Sequence, residues 1–161
     1  MSQAPAATRP WQAIQSELAA RLAQAHDRPA RMQAFVSAAW SHLAPTGVSW
    51  LGFYERDPND LSQLLLAARE PKPACSPIGL HGACGQCLLA AKPLVVHDVA
   101  DLGAGYIACD PRDRSEVVVP CLGPDGQAWA VLDLDSHQVG SFGASDAEAL
   151  TALLRQAGLS A

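Results

Sequence analysis

The chain has 161 residues, 49% of them hydrophobic and 17% charged, which suits one globular domain with a core of its own. Sixteen acids against eleven bases leave a net charge of −5, so the basic face that a nucleic-acid partner needs is missing. An apolar run such as residues 64–68 falls far short of the roughly 20 residues of a membrane span, and residues 1–5 carry no secretory pattern, so a cytoplasmic domain without a membrane partner is expected.

In chain order, residues 1–9 are small and polar and read as a flexible N-terminal tail, with a single folded domain over 10–161. Ile14, Leu18, Leu22 and Ala25 predict a helix over about residues 10–25. Asp27 is placed to cap a second helix with Pro29 in its first turn, and Met32, Phe35, Val36, Ala39, Trp40 and Leu43 form its apolar stripe. Residues 47–55 are aromatic and β-forming, a turn follows at 57–60, and 61–68 complete a hairpin. A short helix is expected over 84–92 and a strand over 94–97. Two further strands, 116–122 and 127–133, flank a turn at 123–126. Ser145 and Glu148 make a Ser-x-x-Glu box opening a final helix that stops near Gly158. Helices at the ends and hairpins in the middle predict an α+β fold, a central antiparallel sheet with helices packed on its faces.

Residues 69–82 and 99–115 are long irregular stretches, and each holds a cysteine, Cys75 and Cys109. Loops of such length in a compact domain are commonly functional. Five cysteines in a chain with no export pattern argue against a static disulfide framework, leaving thiol chemistry, metal binding or burial. Cys109 reads either as a reactive thiol or as a small buried hydrophobe. Cys84 and Cys87 form a Cys-x-x-Cys pair, yet no βαβ unit surrounds it and no second pair completes a zinc site, so no metal or cofactor is expected. Asp133 and Asp135 share one strand face by period two, with Glu116 on the neighbouring strand. Buried same-face acids are costly unless they meet a cation or good hydrogen-bond donors, so they either hold a cationic ligand or merely end the strand. Trp50 and Tyr54 stand close by on the aromatic strand, suited to an ammonium-bearing ligand.

Taken together, Ser49-Trp50-Leu51-Gly52-Phe53-Tyr54, Pro73-Ala74-Cys75, Gly82-Ala83-Cys84-Gly85, Ile107-Ala108-Cys109-Asp110, Ser115-Glu116 with the following Val-Val-Val-Pro, and Val131-Leu132-Asp133-Leu134-Asp135-Ser136 resemble the free methionine-(R)-sulfoxide reductases, single-domain GAF proteins. The resemblance implies that Cys109 is the nucleophile on the sulfoxide sulfur, Cys75 the resolving thiol and Cys84 a recycling or supporting one. It implies that Glu116, Asp133 and Asp135 hold the substrate, and that Trp50 and Tyr54 wall its methyl-sulfur end. The expected reaction reduces free L-methionine-(R)-sulfoxide through a cysteine sulfenic acid and an intramolecular disulfide, which thioredoxin recycles. A homodimer and a role in oxidative stress belong to the same expectation.

Four features depart from the family pattern. Tyr106 replaces a histidine, residues 69–73 replace a Phe-Gln-Gly stretch, the Cys75–Cys84 interval is one residue short, and Cys87 and Cys121 are additional. The competing readings are a non-catalytic GAF module that senses a ligand or redox state, and a general thiol-disulfide protein using Cys84 and Cys87.

Overall fold

The computed structural model describes residues 8–103, 106 and 108–161, so residues 1–7 of the expected tail lie outside the described residues. Arg9, the last residue of that tail, is firmly held. Its buried guanidinium meets the Asp146 carboxylate at 3.0 Å, donates to Ser141 Oγ and Thr46 Oγ1, and lies 4.8 Å from the centre of the Phe142 ring.

Helices α1 (Trp11–Leu22) and α2 (Arg28–Leu43) form where the three-and-four spacing runs. Asp27 caps α2 as expected, its Oδ1 accepting from the Ala30 amide at 2.9 Å. Six strands follow: β1 (Val48–Arg56), β2 (Gln63–Glu70), β3 (Ile78–Gly79), β4 (Leu94–Val96), β5 (Ser115–Leu122) and β6 (Ala128–Ser136). They build one sheet in the order β3-β2-β1-β6-β5-β4, every pair antiparallel. Helix α3 (Ala83–Ala90) lies between β3 and β4, and α4 (Ala144–Gln156) ends the chain. The α+β architecture expected from the sequence is the one observed.

Period two divides the sheet residues between two cores. Leu51, Phe53, Val117, Val119, Leu132 and Leu134 pack with Leu18, Phe35, Leu150 and Leu154 from α1, α2 and α4. Phe35 and Phe53 meet edge-on at 5.5 Å, a favoured arrangement for the ring quadrupoles. The alternate residues, Trp50, Tyr54, Val118 and Val131, face the other way and gather with Cys84, Cys87 and Leu88 of α3. Among the described residues, the short helix α3 and the 3-10 turn Val99–Leu102 pack on that second face, which leaves space for a site.

Three local expectations are corrected. Strand β6 runs on to Ser136, so both Asp133 and Asp135 are interior strand residues rather than its end. The irregular 69–82 stretch contains β3, which pairs Leu64 with Ile78 at the sheet edge. Helix α4 starts at Ala144 with Gly143 as cap, and the reciprocal bond comes from Asp146, whose Oδ2 accepts from the Gly143 amide at 2.9 Å. With Gly143 as cap, the third helical residue is Asp146 rather than Glu148, and Asp146 also meets Arg9.

Candidate active site

Cross-strand pairing assembles the acids. Asp135 of β6 stands between Trp50 of β1 and Glu116 of β5, and Asp133 between Gly52 and Val118, forming two adjacent rows on one sheet face. Gly52 is required there. A Cβ at this position would run into the Trp50 indole and come within 2.8 Å of Arg69 Cβ, so the missing side chain lets the indole lie across the strand.

The two aromatic side chains of β1 also fix the first cysteine loop. Trp50 Nε1 donates to the Lys72 carbonyl at 2.8 Å, and Tyr54 Oη donates to the Cys75 carbonyl at 2.8 Å. The Leu66 amide donates to Ser76 Oγ at 3.0 Å, tying the same loop to β2. The second cysteine loop is joined to the sheet through the Arg114 amide, which donates to the Ser136 carbonyl at 2.8 Å. So held, Cys75 and Cys109 are linked by a disulfide with their Cα atoms 5.8 Å apart. Cys84, Cys87 and Cys121 are free thiols, all buried. The Cys84-x-x-Cys87 pair is therefore not the disulfide of this structure, and both residues sit on α3 facing the second core.

A cavity of about 290 Å³ opens beside the disulfide, near the lower end of the roughly 300–1,000 Å³ of small-molecule sites. All eight residues singled out in the sequence line it: Trp50, Tyr54, Cys75, Cys84, Cys109, Glu116, Asp133 and Asp135. Tyr106 and Asp113 line it as well. Tyr106 was noticed only as a departure from a pattern, and its hydroxyl donates to Glu116 Oε2 at 3.2 Å. Asp113 gave no signal at all, being one acid of an irregular Asp-Pro-Arg-Asp-Arg run, yet it is buried against the cavity.

The electrostatics of the cavity are those of crowded, desolvated acids. Burial and then the neighbouring carboxylates Asp135 and Glu116 push Asp133 far above the ordinary aspartate range, while burial followed by Glu116, Asp113 and Asp110 does the same to Asp135. Burial, with Asp110 and Glu116 adding repulsion, raises Asp113 to about 7. Burial and then Asp133 push the Cys84 thiol well up, so it stays protonated, and the Tyr54 and Tyr106 phenols move in the same direction. Asp133 Oδ1 is buried without a hydrogen-bond partner among the described residues. An unsatisfied carboxylate oxygen facing a cavity is strongly disposed to accept from a cationic donor.

Two donor groups could also gather a metal ion. Cys84, Glu116 and Asp133 place ligand atoms within 4.8 Å of one another inside the cavity, and Asp110, Asp113 and His137 do so nearer the surface. The first group is equally suited to an ammonium, which asks for hydrogen-bond acceptors and negative charge rather than a fixed coordination geometry.

A family model described as "GAF domain" matches residues 25–160. The free methionine-R-sulfoxide reductase of Saccharomyces cerevisiae is 33% identical over 118 residues, which are 73% of this chain and 64%, just under two thirds, of the yeast protein's own length. A structure of the free methionine-R-sulfoxide reductase from Neisseria meningitidis in complex with its substrate is 30% identical, with 97% of this chain and 92% of that chain covered and a TM-score of 0.74. The substrate complex of fRMsr of Staphylococcus aureus is 26% identical and covers 94% of this chain and 95% of that one, with a TM-score of 0.80.

Proposed function

We propose that this chain, which belongs to the GAF domain family, reduces free L-methionine-(R)-sulfoxide to methionine. The observation that carries the reading is convergence: a bonded cysteine pair, two aromatic walls and a crowd of buried acids meet around one small cavity. The similarity to enzymes named for this activity supports it.

In the reduced protein, the Cys109 thiolate attacks the sulfoxide sulfur and forms a sulfur–sulfur bond to it, while a cavity acid such as Asp135 protonates the sulfoxide oxygen. Burial and the neighbouring Glu116 raise Asp135 above the ordinary aspartate range, which favours the proton it needs for that task. The hydroxyl then passes from the methionine sulfur to Cys109 sulfur as the sulfur–sulfur bond breaks, so that methionine leaves and Cys109 is left as a sulfenic acid. The Cys75 thiol then attacks Cys109 sulfur, a disulfide forms and water departs. The substrate ammonium sits against Asp133 Oδ1, and Trp50 and Tyr54 enclose the methyl-sulfur end. A methionine inside a peptide has no ammonium for Asp133, and this is the basis for selecting the free amino acid. Cys84, protonated and buried between Asp133 and α3, acts in this scheme as a supporting wall of the pocket rather than as the first resolving thiol. Thioredoxin returns the disulfide to dithiol by exchange. The same reading makes the chain a cytoplasmic homodimer that clears oxidised methionine under oxidative stress.

Thioredoxin-coupled oxidation of NADPH tests the reading, with the free (R) and (S) epimers and an N-blocked methionine sulfoxide compared. Turnover confined to the free (R) epimer, and abolished in Cys109→Ser, is the expected result. Turnover of the blocked substrate at an equal rate would remove the ammonium argument, and activity retained by Cys109→Ser would remove the mechanism.

A further inference from the structure

The acidic pocket brings together three groups that the proposed reduction does not use as a set. Cys84 of α3, Glu116 of β5 and Asp133 of β6 place a thiol sulfur and two carboxylate oxygens within 4.8 Å of one another. The three residues are only 6%, 4% and 6% exposed. Acids at that depth call for a cation or for strong hydrogen-bond donors. Among the described residues no Lys or Arg lines the pocket, and its one basic side chain, His81, is exposed. Asp133 Oδ1 points the same way. It is buried without a hydrogen-bond partner among the described residues, in a residue that lines the pocket. A buried carboxylate oxygen is satisfied by an N–H or O–H donor or by a metal ion, and the described residues offer this one no such donor.

The donor atoms select the ion. A thiolate with two carboxylates suits zinc, which accepts mixed sulfur and oxygen ligands, and disfavours magnesium and calcium, which take oxygen alone. Bonds of roughly 2.0–2.3 Å put the donors of a tetrahedral zinc about 3.5 Å apart, so side-chain movements of about 1 Å close the group around the ion. Three protein ligands leave the fourth position facing the cavity, the arrangement of zinc sites that keep an exchangeable water. The outer group of Asp110, Asp113 and His137 is the poorer site. The Arg112 guanidinium already engages Asp110 at 2.8 Å, and the group contains no thiol.

We propose that Cys84, Glu116 and Asp133 form a zinc site that closes the pocket to its amino-acid substrate, because the ion and the substrate ammonium compete for Asp133. The metal site stands on the geometry alone, and the exclusion of substrate rests on the reductase reading. On binding, Cys84 releases its proton to solvent and ligates as thiolate, and the two carboxylates ligate as anions. The dication then offsets the repulsion among Cys84, Glu116, Asp133 and the adjacent Asp135. Zinc on Asp133 deprives the substrate ammonium of its acceptor, so the ion is a reversible inhibitor that a chelator removes.

Cobalt(II) is the optical probe for this site, since a thiolate ligand gives it a charge-transfer band in the near ultraviolet. The protein is used oxidised, with Cys75 and Cys109 bonded to each other and so unable to ligate. The parent should bind one cobalt per chain with that band, and zinc, but not excess magnesium, should abolish it. Cys84→Ser should lose the band. Asp133→Asn should weaken cobalt at least about tenfold, since even an outer partner of a metal ligand contributes that much. Asp110→Asn should leave the affinity unchanged. L-methionine should displace cobalt, whereas L-alanine, which has the same chelating amine and carboxylate, should not at equal concentration. No band in the folded parent, a band retained by Cys84→Ser, an affinity unchanged in Asp133→Asn or one lost in Asp110→Asn would overturn the site. The parent spectrum needs no variant, so it decides even if a substitution disturbs folding. Equal displacement by the two amino acids, from a chain whose reduced form converts the sulfoxide to methionine, would overturn the exclusion of substrate. A reduced chain that makes no methionine is instead a failure of the reductase reading, and the cobalt band still decides the metal site.

Discussion

Asp133→Asn tests the ammonium site without altering its shape. Asp133 is buried at the heart of the acidic cavity, its Oδ1 has no partner among the described residues, and Asp135 and Glu116 repel its ionised form. The amide keeps the size of the side chain and removes the charge. A hydrogen bond to a charged group contributes about 1.5–3 kcal/mol, and each 1.4 kcal/mol is tenfold, so KM for the free sulfoxide should rise roughly 10- to 100-fold. The residual kcat should change far less, because the attacking sulfur and the oxygen's proton donor are untouched. Removing one of several mutually repelling carboxylates should also leave Tm equal to the parent's or above it, so a weak KM cannot be blamed on unfolding. Steady-state kinetics over a wide sulfoxide range, beside a thermal melt, reads both quantities. An unchanged KM in a folded variant would refute the reasoning, as would an equal loss with the N-blocked substrate.

Other consequences follow from named contacts. Because Asp133 and Asp135 have folded pKa values raised by burial, and Asp113 is raised to about 7, their contribution to stability is complete below about pH 4 and is lost as pH rises through the folded values. An ammonium ligand favours the ionised acids, so the rise in Tm caused by L-methionine should be larger at pH 8 than at pH 5; the opposite order in a thermal melt would contradict this. Tyr106→Phe removes the donor to Glu116 Oε2 and should raise KM about two- to tenfold with little change in Tm; a collapse of kcat with KM unchanged would show a different role for the phenol. Arg9→Ala leaves Asp146 buried without its cation, a loss of about 3–5 kcal/mol, so denaturant unfolding should shift strongly to lower urea; a midpoint within experimental scatter of the parent's would argue that residues before α1 do not hold the fold.

The elements were legible in the sequence where burial is one-sided. The stripes of α1 and α2 mark which residues face the sheet, because each helix has one face on a single apolar layer, whereas β5 and β6 are buried on both faces and show as nearly continuous apolar runs. Asp133 and Asp135 were legible as a same-face pair by period two, with Glu116 on the next strand. What pairing adds is the row that brings Trp50, Asp135 and Glu116 abreast, a long-range register that no local pattern encodes. The cysteine loops were harder. Nothing in residues 69–82 announces that Trp50 and Tyr54 fix them through backbone carbonyls, since those acceptors exist at every residue. Asp113 is hidden in the same way, as one acid among several charges in a loop, and its burial comes only from the packing of that loop against the sheet. The tail reading failed at Arg9 because a charged residue next to a proline looks solvent-facing until its buried partner, Asp146, is known from the far end of the chain.

A single-turnover measurement tests the proposed chemistry most directly. Chemically reduced protein, freed of reductant, is mixed with excess L-methionine-(R)-sulfoxide, and both methionine and the cysteine pairing are quantified by mass spectrometry. One methionine per chain, with Cys75 and Cys109 joined and Cys84, Cys87 and Cys121 still free, is the predicted result. Folded, reduced protein that forms no methionine, or that forms it while Cys75 and Cys109 remain thiols, would contradict the account.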